Sequence, residues 1–425
     1  MRESSPLSIV ASEPRLDDGR SALPRASSAA AVSTLRFEVH RSFEAARAEW
    51  TLFQGVADGH PFQHHEWLNA WYEAVGRGRG VEPFIVVAKD AHGVVRAVYP
   101  LGIRKARWVR ILVPLGEGVC DYHAPLIDRE FFGRLPATSR ALIWTAITAM
   151  APADSVLLER VVLDEHGDPY GARALHPHSS STHVLWLGDD WDRFYRERRG
   201  AKTRRTLREK RNRLARIGPI RFALAESVAE RERLLALAVR LKATQLKHVG
   251  YRNPYRHDDV RTFYRTLAAL SPTSSALRVF SLEAGCETVA VAVCMVHAGR
   301  LYYLIPAHDR ERFGRFSPGL LLLCEMIHWS IEHGLKLFDF TIGDEAYKDQ
   351  WCDAKIPLAY SVDGLTPRGK LAAAIIVGSL TLKRTIAVHP RLRPIGLAAL
   401  DWLWSTRQRL RRNSAPPLRE TGTAD

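Results

Sequence analysis

The chain has 425 residues, 46% hydrophobic and 25% charged, an ordinary globular balance with length enough for two cores. Its 61 Lys and Arg against 46 Asp and Glu give a formal charge of +15, which favours phosphates, acidic sugars, nucleic acid or anionic lipid as partners. The five cysteines (120, 286, 294, 324 and 352) form no CxxC pair and no zinc-finger spacing with histidine, which argues against a disulfide framework or structural zinc and suits a reducing cytoplasm.

Residues 1–34 are rich in Ser, Ala, Arg and Pro, without an apolar run of signal-peptide length, and read as a disordered leader. A first module is expected over 35–185. Leu35 to Val39 is a strand, and Ser42 caps a helix with Phe43, Ala46 and Trp50 on one side. Pro61, Phe62, Gln63 and His64 lead into a second helix whose Trp67, Leu68, Trp71 and Tyr72 recur at helical spacing, a core stripe. Pro83 to Lys89 and Val94 to Gly102 alternate as a hairpin, and Trp108 to Leu115 is another strand. It ends in a Gly-rich loop that gathers an acid, a phenol and an imidazole: Asp121, Tyr122 and His123. Such a loop after serial strands suits a cleft wall. A helix over 135–150, a strand over 156–162 and a surface loop over 164–182 follow. His176, His178 and His183 have no carboxylate or cysteine at ligand spacing, so no metal is expected.

A second module is expected over 186–365. It opens with the most basic segment, Arg196 to Arg216, read as one helix with a thin apolar stripe of Leu207, Leu214 and Ile217. Its outer face is either merely solvated or contacts phosphates. It lacks interleaved aromatics, so nucleic acid is not an expected partner. A strand (219–224), two helices (228–247 and 260–270) around a Tyr-, Arg- and His-rich loop (250–257), a hairpin (277–283 and 289–297) and a strand from Leu301 follow. Ser317, Pro318 and Gly319 then open a helix directly after that strand. Unpaired N–H groups and a positive dipole end at such a start suit an anion, although the same residues also make a plain cap. Neither GxGxxG nor GxxxxGK[ST] occurs, which leaves dinucleotide and phosphate-loop NTPase folds without support. Gly334 stops the helix, Lys336 to Ile342 is a strand, and Gly343 leads into a polar loop holding Glu345, Tyr347 and Lys348.

The Ser317-Pro318-Gly319 start, with Gly334, Phe338-Asp339-Phe340, Gly343, Glu345 and Tyr347-Lys348, resembles the C-terminal signature of the CelD-type acetyltransferases. These are a bacterial branch of the GNAT superfamily, and like the FemAB aminoacyltransferases they carry two GNAT-like modules in tandem. The Phe62-Gln63, Trp67 and Trp71 helix and the glycine-rich stretch ending in Asp121-Tyr122 extend the resemblance over residues 60–355. It implies an α/β fold of two tandem GNAT-like modules, each a mixed central sheet flanked by helices, with a helical C-terminal tail. It implies acetyl-CoA or another acyl-CoA as donor, its pyrophosphate at the helix start. The basic helix then faces the cleft between modules.

The usual GNAT phosphate loop is replaced here by Arg312, Phe313, Gly314, Arg315, Phe316, Ser317, Pro318 and Gly319. Arg312 and Arg315 are the candidate phosphate partners, with Ser317 and Gly319 as N–H donors and one donor lost at Pro318. Acyl transfer to an amine needs a base and donors for a developing oxyanion. Asp339 and Glu345 are the candidate bases, Tyr347 the group that protonates a leaving thiolate, and Lys348 the charge that holds substrate. An ion pair closing the loop is the structural alternative for Asp339 to Lys348. Asp121, Tyr122 and His123 are expected to line the acceptor. The implied activity is acyl transfer to an amine or hydroxyl of a sugar, polysaccharide precursor or envelope building block. FemAB-like transfer from a charged tRNA, or a non-catalytic accessory module of a polysaccharide-synthesis complex, are the alternatives.

Residues 366–412 form the tail. Lys370 to Lys383 is an apolar helix too short to span a bilayer, and Pro390 and Pro394 interrupt it. Residues 397–412 are amphipathic, with Trp402, Trp404 and four arginines; they pack on the body or a second copy, or lie on anionic lipid as a peripheral contact with the inner membrane. Residues 413–425 are expected to be disordered, and the protein cytoplasmic.

Overall fold

The computed structural model describes residues 35–163, 168–172, 174–248, 253–270, 276–343 and 345–388. The leader, the 397–412 segment and the C-terminal end named above lie outside them.

The first half builds four antiparallel strands in chain order: β1 (Arg36–His40), β2 (Val81–Lys89), β3 (Val95–Ala106) and β4 (Val109–Pro114). Between β1 and β2 lie α1 (Phe43–Phe53), whose start is capped by the Ser42 side chain, and α2 (His65–Trp71). Alternation splits β2 between two cores. Ile85 and Val87 pack with Trp50, Trp67 and Trp71 of the helices. Phe84 and Val86 pack on the other face with Ile143, Trp144 and Ile147. Burial on both faces explains why β2 reads as a continuous apolar run. A two-residue β5 (Leu126–Ile127), α3 (Arg129–Arg134) and α4 (Ala137–Met150) then lead to β6 (Ser155–Val162), which runs parallel to β4. The helix expected over 135–150 is α4, which starts at Ala137 just after Pro136, and the short α3 before it was not expected.

The second half repeats the plan. It starts with α5 (Trp191–Arg198) and α6 (Ala201–Leu214), then β8 (Ile220–Leu224), α7 (Val228–His248) and α8 (Asp258–Ala269). Strands β9 (Leu277–Ala284), β10 (Glu287–His297) and β11 (Arg300–His308) extend β8 as an antiparallel meander. A short α9 (Arg310–Phe313) and α10 (Pro318–Glu332) precede β12 (Leu337–Ile342), parallel to β11. The basic run from Arg196 to Arg216 is thus two helices rather than one. The break falls at Arg199 and Gly200, where the Arg199 guanidinium turns inward over the Trp351 ring at 3.5 Å.

The two halves exchange their last strands. β7 (His176–Trp186) follows β6 in the chain but pairs with β12, and β13 (Ala354–Gly364) follows β12 but pairs with both β6 and β7. One sheet of 13 strands results, with β13 and β7 at its centre. This corrects the loop expected over 164–182. The Ser- and His-rich stretch from His176 has weak strand propensity, yet it is held as a strand from both sides, with Thr182 and His183 fully buried. β13 was not anticipated at all.

Both parallel strands carry the same defect. In β12 three residue steps (Asp339 to Ile342) oppose two in β7, and in β6 three steps (Leu158 to Val161) oppose two in β13. Each extra residue is a bulge with a positive φ at a non-glycine position: Thr341 at 55° and Arg160 at 54°. For β-branched Thr341 this is a strained conformation, of the kind that gathers at functional sites. The bulges lie beyond the point where parallel pairing stops, at Tyr302 with Asp339 in one half and Leu112 with Val156 in the other. Finally, α11 (Pro367–Val388) lays Ala372, Ile376 and Leu380 on Val109, Ile111, Val113 and Leu157. It extends the helix expected from Lys370 at both ends, and no helix among the described residues is long and apolar enough to cross a membrane.

Candidate functional site

The Arg160 bulge faces a recess of about 180 Å³, lined by Gly118, Val119, Asp121 and Arg160 from the first half and by Tyr255, Tyr264 and Leu304 among others from the second. Gly118 has φ 92°, in the left-handed region, which lets the loop after β4 swing Asp121 across to the second half. The Asp121 side chain keeps 22% exposure yet is walled in on most sides. Burial pushes its carboxyl up to about 6, against the opposing pull of Arg160 4.0 Å away and of Thr341 within hydrogen-bonding reach. Burial also raises the phenols of Tyr255 and Tyr264, so both stay protonated.

The other two members of that loop face elsewhere. Tyr122 Oη donates to Asp339 Oδ1 at 2.7 Å and also meets the Thr182 hydroxyl. His123 is buried, with Nδ1 2.7 Å from the Glu159 carbonyl oxygen and Nε2 without a partner; burial holds its pKa down at about 4, so it is neutral. Asp339, expected as a base, is instead enclosed at 1% exposure. Its Oδ1 accepts from Tyr122, from Thr182 Oγ1 at 3.0 Å and from the Thr341 N–H at 2.8 Å, and its Oδ2 lies 3.5 Å from Arg300. The carboxylate ties β12, β7 and the first-half loop together at the bulge through Oδ1 and is closed off from solvent, the arrangement of a brace.

Lys348 is equally committed. Its buried Nζ donates to the carbonyls of Ile342 at 3.1 Å and Gly343 at 3.2 Å, and pairs with Glu345 at 2.9 Å. It straps the frayed end of β12. Gly343 suits its φ of 128°, a conformation that residues with a Cβ rarely adopt. Burial raises the Glu345 carboxyl, but Lys348 and then Lys242 outweigh it, and the net pKa is lowered. Tyr347 Oη is buried with no partner among the described residues, and its pKa is raised by burial and by Glu345.

At the α10 start, Ser317 takes a left-handed conformation (φ 52°) and its Oγ accepts from Lys210 Nζ of α6 at 2.7 Å. The Ser317 N–H is bonded to the Gly314 carbonyl, Pro318 has no N–H, and the Leu320 and Leu321 N–H groups reach the Ser317 carbonyl. Gly319 N–H is the donor left at the start. With Lys210 and the exposed Arg315 beside it, the start fits a phosphate chiefly through cations. Arg312 does not join them: Glu287 holds its guanidinium through two hydrogen bonds of 3.0 and 2.8 Å. A Cβ on Gly319 would meet His308 Nδ1 at 2.9 Å.

Helix α7 ties this start to the recess. Gln245 Nε2 donates to the His308 carbonyl at 2.9 Å and lies 3.1 Å from His308 Nδ1. Lys242, three residues earlier and so about 4.5 Å back along the same face, has its pKa lowered by burial, against the pull of Glu345 and Asp121. Sequence reading missed Lys242, Gln245, Arg160 and Thr341. The first two sit in an ordinary amphipathic helix, and nothing in the sequence marks the bulges. The basic run did signal Lys210.

A family model described as the acetyltransferase (GNAT) domain matches residues 201–349, which span α6 to the Lys348 strap. No curated protein matches the chain. FemX is similar in structure with a TM-score of 0.53 and 13% identity, over 77% of this chain and 95% of FemX. The C-terminal domain of an Agrobacterium fabrum protein assigned as a lysylphosphatidylglycerol synthetase gives 0.45 and 16%, over 78% and 95%. A tandem GNAT protein from the clavulanic acid biosynthesis pathway gives 0.37 and 12%, over 78% and 99%. Residues 201–349 therefore match the acetyltransferase (GNAT) domain, within a body that has the fold of FemX.

Proposed function

We propose that the protein transfers an acyl group, acetyl in the simplest case, from acyl-CoA to an amine or hydroxyl of a sugar, polysaccharide precursor or envelope building block in the cytoplasm. The observation that carries this reading is the one-turn spacing of Gln245 and Lys242 on α7, which links the α10 start to Asp121. The donor phosphates lie at Lys210, Arg315, Ser317 and Gly319, and the acceptor enters the recess at Asp121.

In the reaction the acceptor nitrogen forms a C–N bond to the thioester carbon while Asp121 takes the proton it sheds. The tetrahedral oxyanion collapses, the C–S bond breaks, and the thiolate takes a proton from Tyr347. Asp121 suits the base because its pKa of about 6 keeps it ionised at neutral pH without making it a very weak base. Tyr347 is assigned as the acid because its buried hydroxyl has no partner among the described residues and its raised pKa keeps the proton in place until a thiolate forms. Glu345 and Lys242 hold the charge balance between donor and acceptor, and Lys348 holds the loop.

A second reading, aminoacyl transfer from a charged tRNA as in the FemAB group, draws on the exposed basic residues Lys202, Arg205 and Arg208 of α6. Calorimetry with acetyl-CoA and with charged tRNA separates the two. Saturable acetyl-CoA binding that weakens in Lys210→Met supports the first; tRNA binding without CoA binding supports the second.

A further inference from the structure

The recess holds a carboxylate and a guanidinium side by side, and this pairing says more about the acceptor than its reacting atom does. Arg160 spends one nitrogen on the first-half loop, where Nη1 donates to the Cys120 carbonyl at 2.7 Å. No acceptor among the described residues takes its Nε or Nη2, and its side chain keeps 31% exposure on the recess wall. Asp121 Oδ1 stands 4.0 Å from Nη1, outside hydrogen-bonding distance, so the pair is not closed into a fork. The bulge at Arg160, with its φ of 54°, is what carries this side chain into the recess. A regular β6 would alternate it away.

Tyr255, Tyr264, Val260 and Leu304 complete the walls, and a volume near 180 Å³ admits one small polar unit rather than a polymer. His178 and His123 stand near the guanidinium, and both are held neutral by burial with Arg160 adding to the effect. Neither supplies a competing anion. Glu117 belongs to the same loop, but its carboxylate is taken by Arg104.

We infer that the acceptor is a small molecule carrying both a primary amine and an anion a few bonds away, the amine facing Asp121 and a carboxylate or phosphate facing the free edge of Arg160. An amino acid and an anionic amino sugar share this chemistry. The inference rests on the acceptor reading of the recess but not on the identity of the donor. A guanidinium edge with two parallel donors is the side chain best matched to a planar carboxylate or a phosphate. A neutral amino sugar would leave that edge unpaired on binding, and a plain sugar phosphate would leave Asp121 unpaired.

The test is calorimetry on the full chain with no donor present. The probes are glucosamine 6-phosphate, 2-amino-2-deoxyglucuronate and serine, against glucosamine (no anion) and glucose 6-phosphate (no amine). At least one probe bearing both groups is expected to bind about tenfold or more tighter than either single-group probe. The three two-group probes distinguish phosphate, sugar carboxylate and amino acid as the source. Arg160→Gln should bring the two-group probe down to the affinity of glucosamine, and Arg160→Lys should recover part of the difference. Melting curves of both variants show whether each is folded.

Equal binding of one-group and two-group probes, an advantage that survives Arg160→Gln in a folded variant, or no binding of any probe at millimolar concentration overturns the inference. Failure of acetyl-CoA to bind while the two-group preference holds overturns the donor reading alone.

Discussion

Asp339 sits in the most conspicuous part of the chemical signature, yet its surroundings make it a brace, and the two roles predict opposite outcomes for one substitution. Asp339→Asn keeps an oxygen for the donors of Tyr122, Thr182 and Thr341 but removes the charge that strengthens those bonds and faces Arg300. The cost is about 1–2 kcal/mol of stability, because charge-assisted bonds become neutral ones. Asp339→Ala leaves three buried donors without an acceptor and Arg300 without its carboxylate, and costs about 3–5 kcal/mol. Arg300, one third exposed, contributes the smaller share because water reaches it. Urea denaturation gives both values, and acetyl transfer by the folded Asn variant gives the second readout. A brace predicts a rate within a few-fold of the parent. A base predicts a loss of at least about 100-fold. A stable Asp339→Asn protein with that larger loss would refute the brace.

Four further outcomes follow from the same geometry. If Asp121 is the base, kcat/KM falls as pH drops through about 6, because the raised carboxyl regains its proton there; Asp121→Asn should remove both the inflection and most of the rate. Gly319→Ala should weaken acetyl-CoA binding in a folded protein, since the added Cβ meets His308 Nδ1 at 2.9 Å and displaces the ring that Gln245 holds. Arg312→Ala should leave the acetyl-CoA Kd within about twofold, because Glu287 occupies that guanidinium away from the helix start. Lys348→Met strips a charged donor from the Ile342 and Gly343 carbonyls and should lower stability by about 2–3 kcal/mol in a denaturation curve.

Much of the fold was legible because it rests on local rules. Ser42 caps its helix as expected, the tryptophans of α2 are core, and a helix does begin at Ser317-Pro318, although α9 stands between it and β11. What escaped was set by tertiary contacts. His176 to Trp186 looks like a loop by composition, and only pairing on both sides makes it a strand. β13 was missed because its mixed run, with Pro357 inside it, is held as a strand by pairing with β6 and β7 at a seam formed by exchange of strands, which no local pattern encodes.

The site divides in the same way. The residue types were readable: Asp121 and Glu345 both act on Lys242 of α7, and Gln245 of that helix reaches His308 beside Gly319. Their roles were not readable. Whether a carboxylate is a brace or a free group depends on partners such as Thr182 and Arg300, both far from Asp339 in the chain. Arg160 enters the recess, and Thr341 comes within reach of Asp121, at bulges that follow from the register of distant strands.

If an acyl-CoA sits at the α10 start, its binding depends on the cations there, Lys210 and Arg315. Acetyl-CoA calorimetry on the intact chain and on a Lys210→Met, Arg315→Ala double variant tests it most directly. The account predicts saturable one-site binding that weakens about tenfold or more in the double variant. No binding of any CoA thioester by the folded parent, or equal binding by the variant, would contradict it.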